Sequence, residues 1–231
     1  MAGSWAPEDF LLFSPRAYWR LFALENAAVW PAQLLLLAAG FVLVACLLRG
    51  RRPSGRRGGP ALGPALGLAV GAAWLWAGWQ FLALRYGAIN WAAPMLAWGF
   101  YAEGALLAAL GMSGRLAFTG RGTRARAGIG LLAAALFAWP LLAPLDGRPW
   151  QEAEVFAIAP DSTAIATLAL LALAPRSRWT APLAVVPALW LAISALTLFT
   201  MGAWQGWAVF AALIAGLIAC TAPGKEPPGR L

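Results

Sequence analysis

The sequence predicts an all-α polytopic transmembrane helix bundle of about seven spans, N-terminus outside and C-terminus cytoplasmic, with an N-terminal interfacial helix. Three observations carry this. Apolar residues make up 61% of the 231 residues and charged ones 11%, with a mean hydropathy of +0.70, too little polar surface to cover a soluble globule of that length. Apolar runs of about 20 residues, the length that crosses a hydrocarbon core, recur along the whole chain. Arginine-rich connections alternate with arginine-poor ones, as the orientation of membrane helices requires. An outer-membrane barrel needs ten-residue strands of alternating polarity, and "LAALGMSGRLAF" and "ALTLFTMGAW" do not alternate.

Residues 1–27 read as an outer-side interfacial segment, 28–220 as the transmembrane helical domain and 221–231 as a cytoplasmic tail. The opening "MAGSWAPEDF" holds Glu8 and Asp9 and no basic stretch, so no cleaved signal peptide is expected. In "FSPRAYWRLFALENAAVW", Ser14 is placed to cap a helix and Pro15 suits its first position. Tyr18, Trp19, Leu21 and Phe22 are then expected to enter the head-group boundary. Pro31 has no backbone donor and biases Trp30 away from the helical region, which marks the junction with the first span.

Spans are expected at 28–48, 65–84, 92–112, 128–145, 162–174, 182–200 and 204–220. The fifth is short and bracketed by Pro160 and Pro175, so it begins nearer Phe156 or is tilted or partly re-entrant. In the second, Gly63, Gly67 and Gly71 repeat every four residues and share one helix face. Packing within the bundle and a homo-oligomer or partner-subunit face are both open uses. Pro31, Pro140, Pro144 and Pro187 predict kinks.

The connections after spans one, three and five, "RGRRPSGRRGG", "SGRLAFTGRGTRARA" and "PRSRW", carry most of the arginine. Those after spans two, four and six hold Arg85 alone, the net acidic "DGRPWQEAEVF" and the uncharged "MGA". The odd-numbered connections therefore face the cytoplasm, where they also meet anionic lipid head groups, and Lys225 and Arg230 of the tail join them. Trp30, Trp79, Trp91, Trp150, Trp204 and Trp207 fall near outer ends and Trp179 near an inner one. This placement explains the +8 net charge without nucleic acid as a partner.

On that orientation the polar residues gather at an outer mouth. Glu25, Asn26 and Gln33 stand at the first junction, and Gln80, Arg85 and Asn90 at the next. Glu25 and Asn26 read either as binding residues or as solvated residues of a helix junction. The loop before span five adds Asp146, Arg148, Glu152 and Glu154. Asp161, in "APDSTAIATL", reads first as a helix cap and second as a ligand. Glu103 lies roughly 16 Å below Ala92 at about 1.5 Å per residue, near mid-bilayer, so it must turn into the bundle. Thr167, Ser194 and Thr197 are at a similar depth and are its expected partners. It is either a titrating group in a cavity or a permanently protonated acid bonded to a neighbouring helix.

Much chemistry is absent. With no histidine, Ser-His proteolysis, HExxH zinc chemistry and bis-His haem ligation are excluded. Cys46 and Cys220 give neither a disulfide framework nor a metal-ligand spacing. No phosphate-binding glycine motif occurs. No cofactor, metal or catalytic residue is expected.

"FLLFSPRAYWRLFALENAAVWPAQ", "AINWAAPM" and "VFAIAPDSTAIATLALLAL" together resemble the recurring segments of an uncharacterised family of small bacterial multi-pass membrane proteins, classed as a domain of unknown function. The likeness covers nearly the whole chain in the same order. Ser162 departs from it, standing where the family carries proline between the acid and the threonine. The resemblance implies a helical membrane protein and brings no reaction, substrate or functional residue.

Three functional readings follow. The first is a small-solute transporter or channel-like permease, with Glu25, Asn26, Gln33, Gln80, Arg85, Asn90 and Asp161 lining an outer vestibule above Glu103. The second is a non-catalytic scaffold or subunit, and the third a lipid-modifying membrane enzyme using Glu103 or Asp161. The alanine, arginine and tryptophan usage suits a GC-rich bacterium, which places the chain in the inner membrane.

Overall fold

The computed structural model describes residues 13–49, 62–116, 118 and 122–221, and among these it is all-helical with no strand. Glu8, Asp9, the arginines at 51–57 and the tail from 222 onward lie outside the described residues, as do the loop and tail expectations that rest on them.

Helix α1 (Pro15–Ala28) starts as its sequence dictates: Ser14 is extended, its Oγ accepts the Ala17 N–H at 3.2 Å, and Pro15 fills the first turn. Beyond Trp30 and Pro31 the chain turns by 87° into α2 (Ala32–Leu48), so the missing donor of Pro31 does mark the corner. The head-group expectation for α1 needs correction. Tyr18, Trp19, Leu21 and Phe22 are buried within the protein, with Phe22 4.7 Å from the Phe81 ring and Tyr18 5.7 Å from Tyr86. An apolar stripe of this kind is satisfied equally by protein or by lipid, and here α1 covers the bundle.

Helix α3 (Leu62–Trp76) continues through wider π-helical turns (Ala77–Arg85) and one 3-10 turn (Tyr86–Ala88). Helix α4 (Ala93–Met112) lies against it at very short range. A Cβ at Gly67 would stand 2.6 Å from Gly111 Cα, and one at Gly71 would stand 2.6 Å from the Gly104 carbonyl oxygen. Those two glycines of the stripe thus serve packing inside the same chain.

Helix α5 (Gly122–Ala133) also widens, at Ala134–Ala138, then tightens at Trp139–Leu141 and ends in α6 (Leu142–Leu145). Pro140 accounts for this break, because it offers no N–H to the carbonyl four residues back and its ring crowds it. Nothing comparable explains the wide turns after α3.

Helix α7 (Pro160–Leu173) is the centre of the molecule. Every one of its 14 residues is buried, packed by α5, α8 (Thr180–Thr200) and α9 (Gln205–Thr221). It starts at Pro160, later than Phe156. Buried on all sides, it has no face for water, which is the signature of a core helix. Trp74 on α3 reaches it, donating its indole N–H to Thr167 Oγ1 at 2.8 Å. At its far end Arg124 donates to the carbonyls of Leu171, Ala174 and Ala219 at 2.9, 3.0 and 3.0 Å, tying together the ends of α7 and α9.

Four rods are long and apolar enough to cross a bilayer: Gly63–Ala88, Ala93–Met112, Gly122–Leu145 and Thr180–Thr200, or five if α1 and α2 form one bent span. Helices α7 and α9 are shorter apolar helices of 14 and 17 residues.

Candidate functional site

The site begins with how α7 is started. Its first turn has no side-chain cap of the usual kind, the capping position being Ala159. Thr163 does related work instead: its Oγ1 accepts the Ala157 N–H at 3.0 Å and donates to the Ala159 carbonyl at 2.7 Å. That ties down a tight entry in which Ala157 adopts a φ of 68°, a left-handed conformation costly for a residue with a Cβ. The capping reading of Asp161 is therefore corrected.

Asp161 reaches across to α8 instead. Its Oδ1 accepts the Trp190 indole N–H at 2.6 Å and its Oδ2 accepts the Ser194 hydroxyl at 2.7 Å. Trp190 and Ser194 are four residues apart and so share one helix face. All three are buried. Short hydrogen bonds onto a carboxylate from neutral donors hold an acid in place without cancelling its charge.

Helix α1 packs over these residues. The Tyr18 phenol lies beside Ser194, Asp161, Glu154 and Tyr86. Glu154, in the connection between α6 and α7, is buried and accepts the Trp139 indole N–H at 3.3 Å through Oε2. Burial first, and the neighbouring Asp161 second, push its pKa up to about 8, while Arg148 works in the opposite direction. Arg148 itself lies 3.6 Å over the Trp19 ring, and donates to Asp146 at 3.2 Å and to the Glu152 carbonyl at 3.4 Å. One of its terminal nitrogens is buried with no hydrogen-bond partner among the described residues. The sequence singled out Asp161 but neither Glu154 nor Tyr18 as a site residue. Only the aromatic spacing of α1 hinted at a buried face.

The other expected residues fall into pairs. Glu25 is fully buried and forms an ion pair with Arg85, joining α1 to the end of the α3 rod. Asn26 donates to the carbonyls of Gln151 and Ala153, both at 2.8 Å, and Gln33 donates to the Asn26 carbonyl at 2.6 Å and to its Oδ1 at 3.1 Å. Glu25 and Asn26 are thus not solvated junction residues. Two clefts flank α1: one of about 530 Å³ lined by Arg20, Gln80 and Arg85, and one of about 480 Å³ lined by Asn26, Gln33, Trp150 and Gln151. Asn90 has a local task, its Oδ1 accepting the Ala92 N–H at 3.0 Å before α4.

Glu103 stands apart. It is buried in α4, and its Oε1 has no partner among the described residues. The expected donors are engaged elsewhere: Thr167 donates to the Thr163 carbonyl, Ser194 to Asp161 and Thr197 to the Ile193 carbonyl. No group of residues with metal-holding geometry occurs among the described residues.

Residues 15–223 match the model of a protein family described as a family of unknown function, DUF6064. No curated protein and no solved structure matches the chain.

Proposed function

The chain belongs to this family of unknown function, and we propose that it is a small-solute carrier or channel-like permease whose binding group is the Asp161 carboxylate. One observation carries this reading. Inside an apolar bundle, Asp161 keeps both oxygens fixed by neutral donors and stands beside a second buried acid, Glu154. An ionisable group kept at such cost within a membrane protein is a mark of a pathway or binding site. The negative charge and the Tyr18, Tyr86 and Trp190 rings favour a proton or a small organic cation.

The two clefts beside α1 form the outer vestibule in this proposal, with Glu25, Asn26, Gln33, Gln80, Arg85 and Asn90 around it and Glu103 deeper in α4. The arginine pattern supports an outer mouth in a bacterial inner membrane, with α2, the four long rods, α7 and α9 as seven crossings. Helix α7 at about 1.5 Å per residue is too short to reach both head-group layers alone, and its complete burial by neighbours removes that requirement.

A ligand screen by thermal unfolding in detergent tests the assignment. Amines, amino acids and alkali cations are added in turn, and a solute that binds the folded state raises Tm with the logarithm of its concentration once that exceeds Kd. The proposal expects at least one cationic class to stabilise the wild type and to leave Asp161→Asn unchanged. A solute that stabilises both equally places the binding group elsewhere.

A further inference from the structure

At the opposite end of α7 the molecule carries a second, independent feature. Between α8 and α9 runs a groove of about 570 Å³ that opens at the connection following α7. Its wall on α8 is formed by Thr180, Ala184 and Ala188, one residue per helical turn, with Leu217 of α9 opposite. At about 1.5 Å per residue, Thr180 to Ala188 covers roughly 12 Å along the helix axis, the depth of the upper part of an acyl chain.

The two ends of the groove differ in chemistry. Its walls within the helices are small and apolar. Its mouth holds Arg176, Ser177 and Thr180, with Arg178 exposed next to them and its guanidinium 5.1 Å from the Trp179 ring. Arg176 spends one N–H on the Thr221 carbonyl and is otherwise exposed, which leaves donors of its five N–H groups over the mouth. Arg124 adds a third positive charge close to Arg176. Among the described residues none of these three arginines forms an ion pair with an acid.

We infer that this groove is a binding site for one anionic glycerophospholipid, its phosphate at Arg176 and Arg178 and one acyl chain laid along Thr180 to Ala188. Arginine suits phosphate through bidentate N–H pairs, and Trp179 suits the boundary between head group and hydrocarbon. A free anion would use the mouth and leave the apolar groove uncovered. A zwitterionic lipid would fill the groove but bring a positive group to a cluster of arginines. The two halves together select a lipid with net negative charge.

Native mass spectrometry of the whole protein, released from nanodiscs of equal phosphatidylglycerol and phosphatidylcholine, tests this. The wild type is expected to retain one phosphatidylglycerol in preference to phosphatidylcholine. The double variant Arg176→Ala, Arg178→Ala should lose that preference, at about fivefold per arginine. Ala184→Phe, which fills the groove and keeps every charge, should lose the lipid as well. Circular dichroism and gel filtration establish that each variant is folded, and Ala188→Leu serves if Ala184→Phe is not. Retention unaffected by either change, or retention of the two lipids alike, overturns the inference. So does displacement of the lipid by millimolar inorganic phosphate, which would mark a free-anion site at the mouth.

Discussion

Asp161, at the start of α7, accepts the indole N–H of Trp190 on α8 at 2.6 Å, so the central helix is fastened to its neighbour by a charge-bearing group that sits inside the bundle. Replacing Trp190 by Phe removes that donor and leaves a buried carboxylate oxygen without it. The expected cost is about 1.5–3 kcal/mol in unfolding free energy. Ser194→Ala should cost a similar amount, since it exposes the other oxygen. Denaturant titration in mixed micelles measures both, and either variant matching the wild type contradicts the observed bonding.

The Glu25–Arg85 pair holds α1 onto the α3 rod, and its two members differ in burial. Removing the arginine strands a buried carboxylate, so Arg85→Ala is expected to destabilise by about 3 kcal/mol or more. The double variant Glu25→Gln, Arg85→Gln should recover part of that loss. Limited proteolysis at α1 reads the same effect locally, with Arg85→Ala cut fastest.

Close approach of α3 and α4 depends on Gly71 facing the Gly104 carbonyl, where an added Cβ would stand 2.6 Å away. The contact is backbone, which cannot swing aside. Gly71→Leu should therefore cost more than the roughly 1–3 kcal/mol usual for overpacking, and Gly130→Ala, at an open exposed position, should be neutral. Equal thermal stability of these two variants would refute the packing account.

Glu154 makes stability depend on pH in a defined direction. Its folded pKa of about 8 lies above the ordinary value of 4.5, so the folded chain holds a proton that the unfolded chain releases between those limits. Its contribution is complete below about 4.5 and lost as pH rises through about 8. Unfolding temperatures across that window should fall more steeply for wild type than for Glu154→Gln. A parallel pair of curves would show that Glu154 titrates normally.

Local features of this chain were legible in its sequence because their causes are local. Ser14 and Pro15 start α1, Pro31 marks the corner, Pro140 breaks the α5 rod, and the glycine stripe finds a close neighbour. What stayed hidden depends on which faces meet. An Asp in the first turn of a helix is fully explained by capping, and only the use of Thr163 for that region frees Asp161 to reach α8. Glu154 belongs to a polar connection whose inward fold no periodicity announces. Helix α7 reads as a weak span because it is short, yet that shortness goes with its place at the centre. Glu103 is buried, as an acid within a long apolar run has to be, but the run is silent on its partners, and the hydroxyls of Thr167, Ser194 and Thr197 are engaged elsewhere.

Solute flux into proteoliposomes, compared between wild type and Asp161→Asn, tests the central claim most directly. Asparagine matches the aspartate in shape and still offers Trp190 an acceptor, so the variant should fold. The account predicts uptake of a cationic solute or of protons by the wild type and its loss in the folded variant. Undiminished uptake by Asp161→Asn would contradict it.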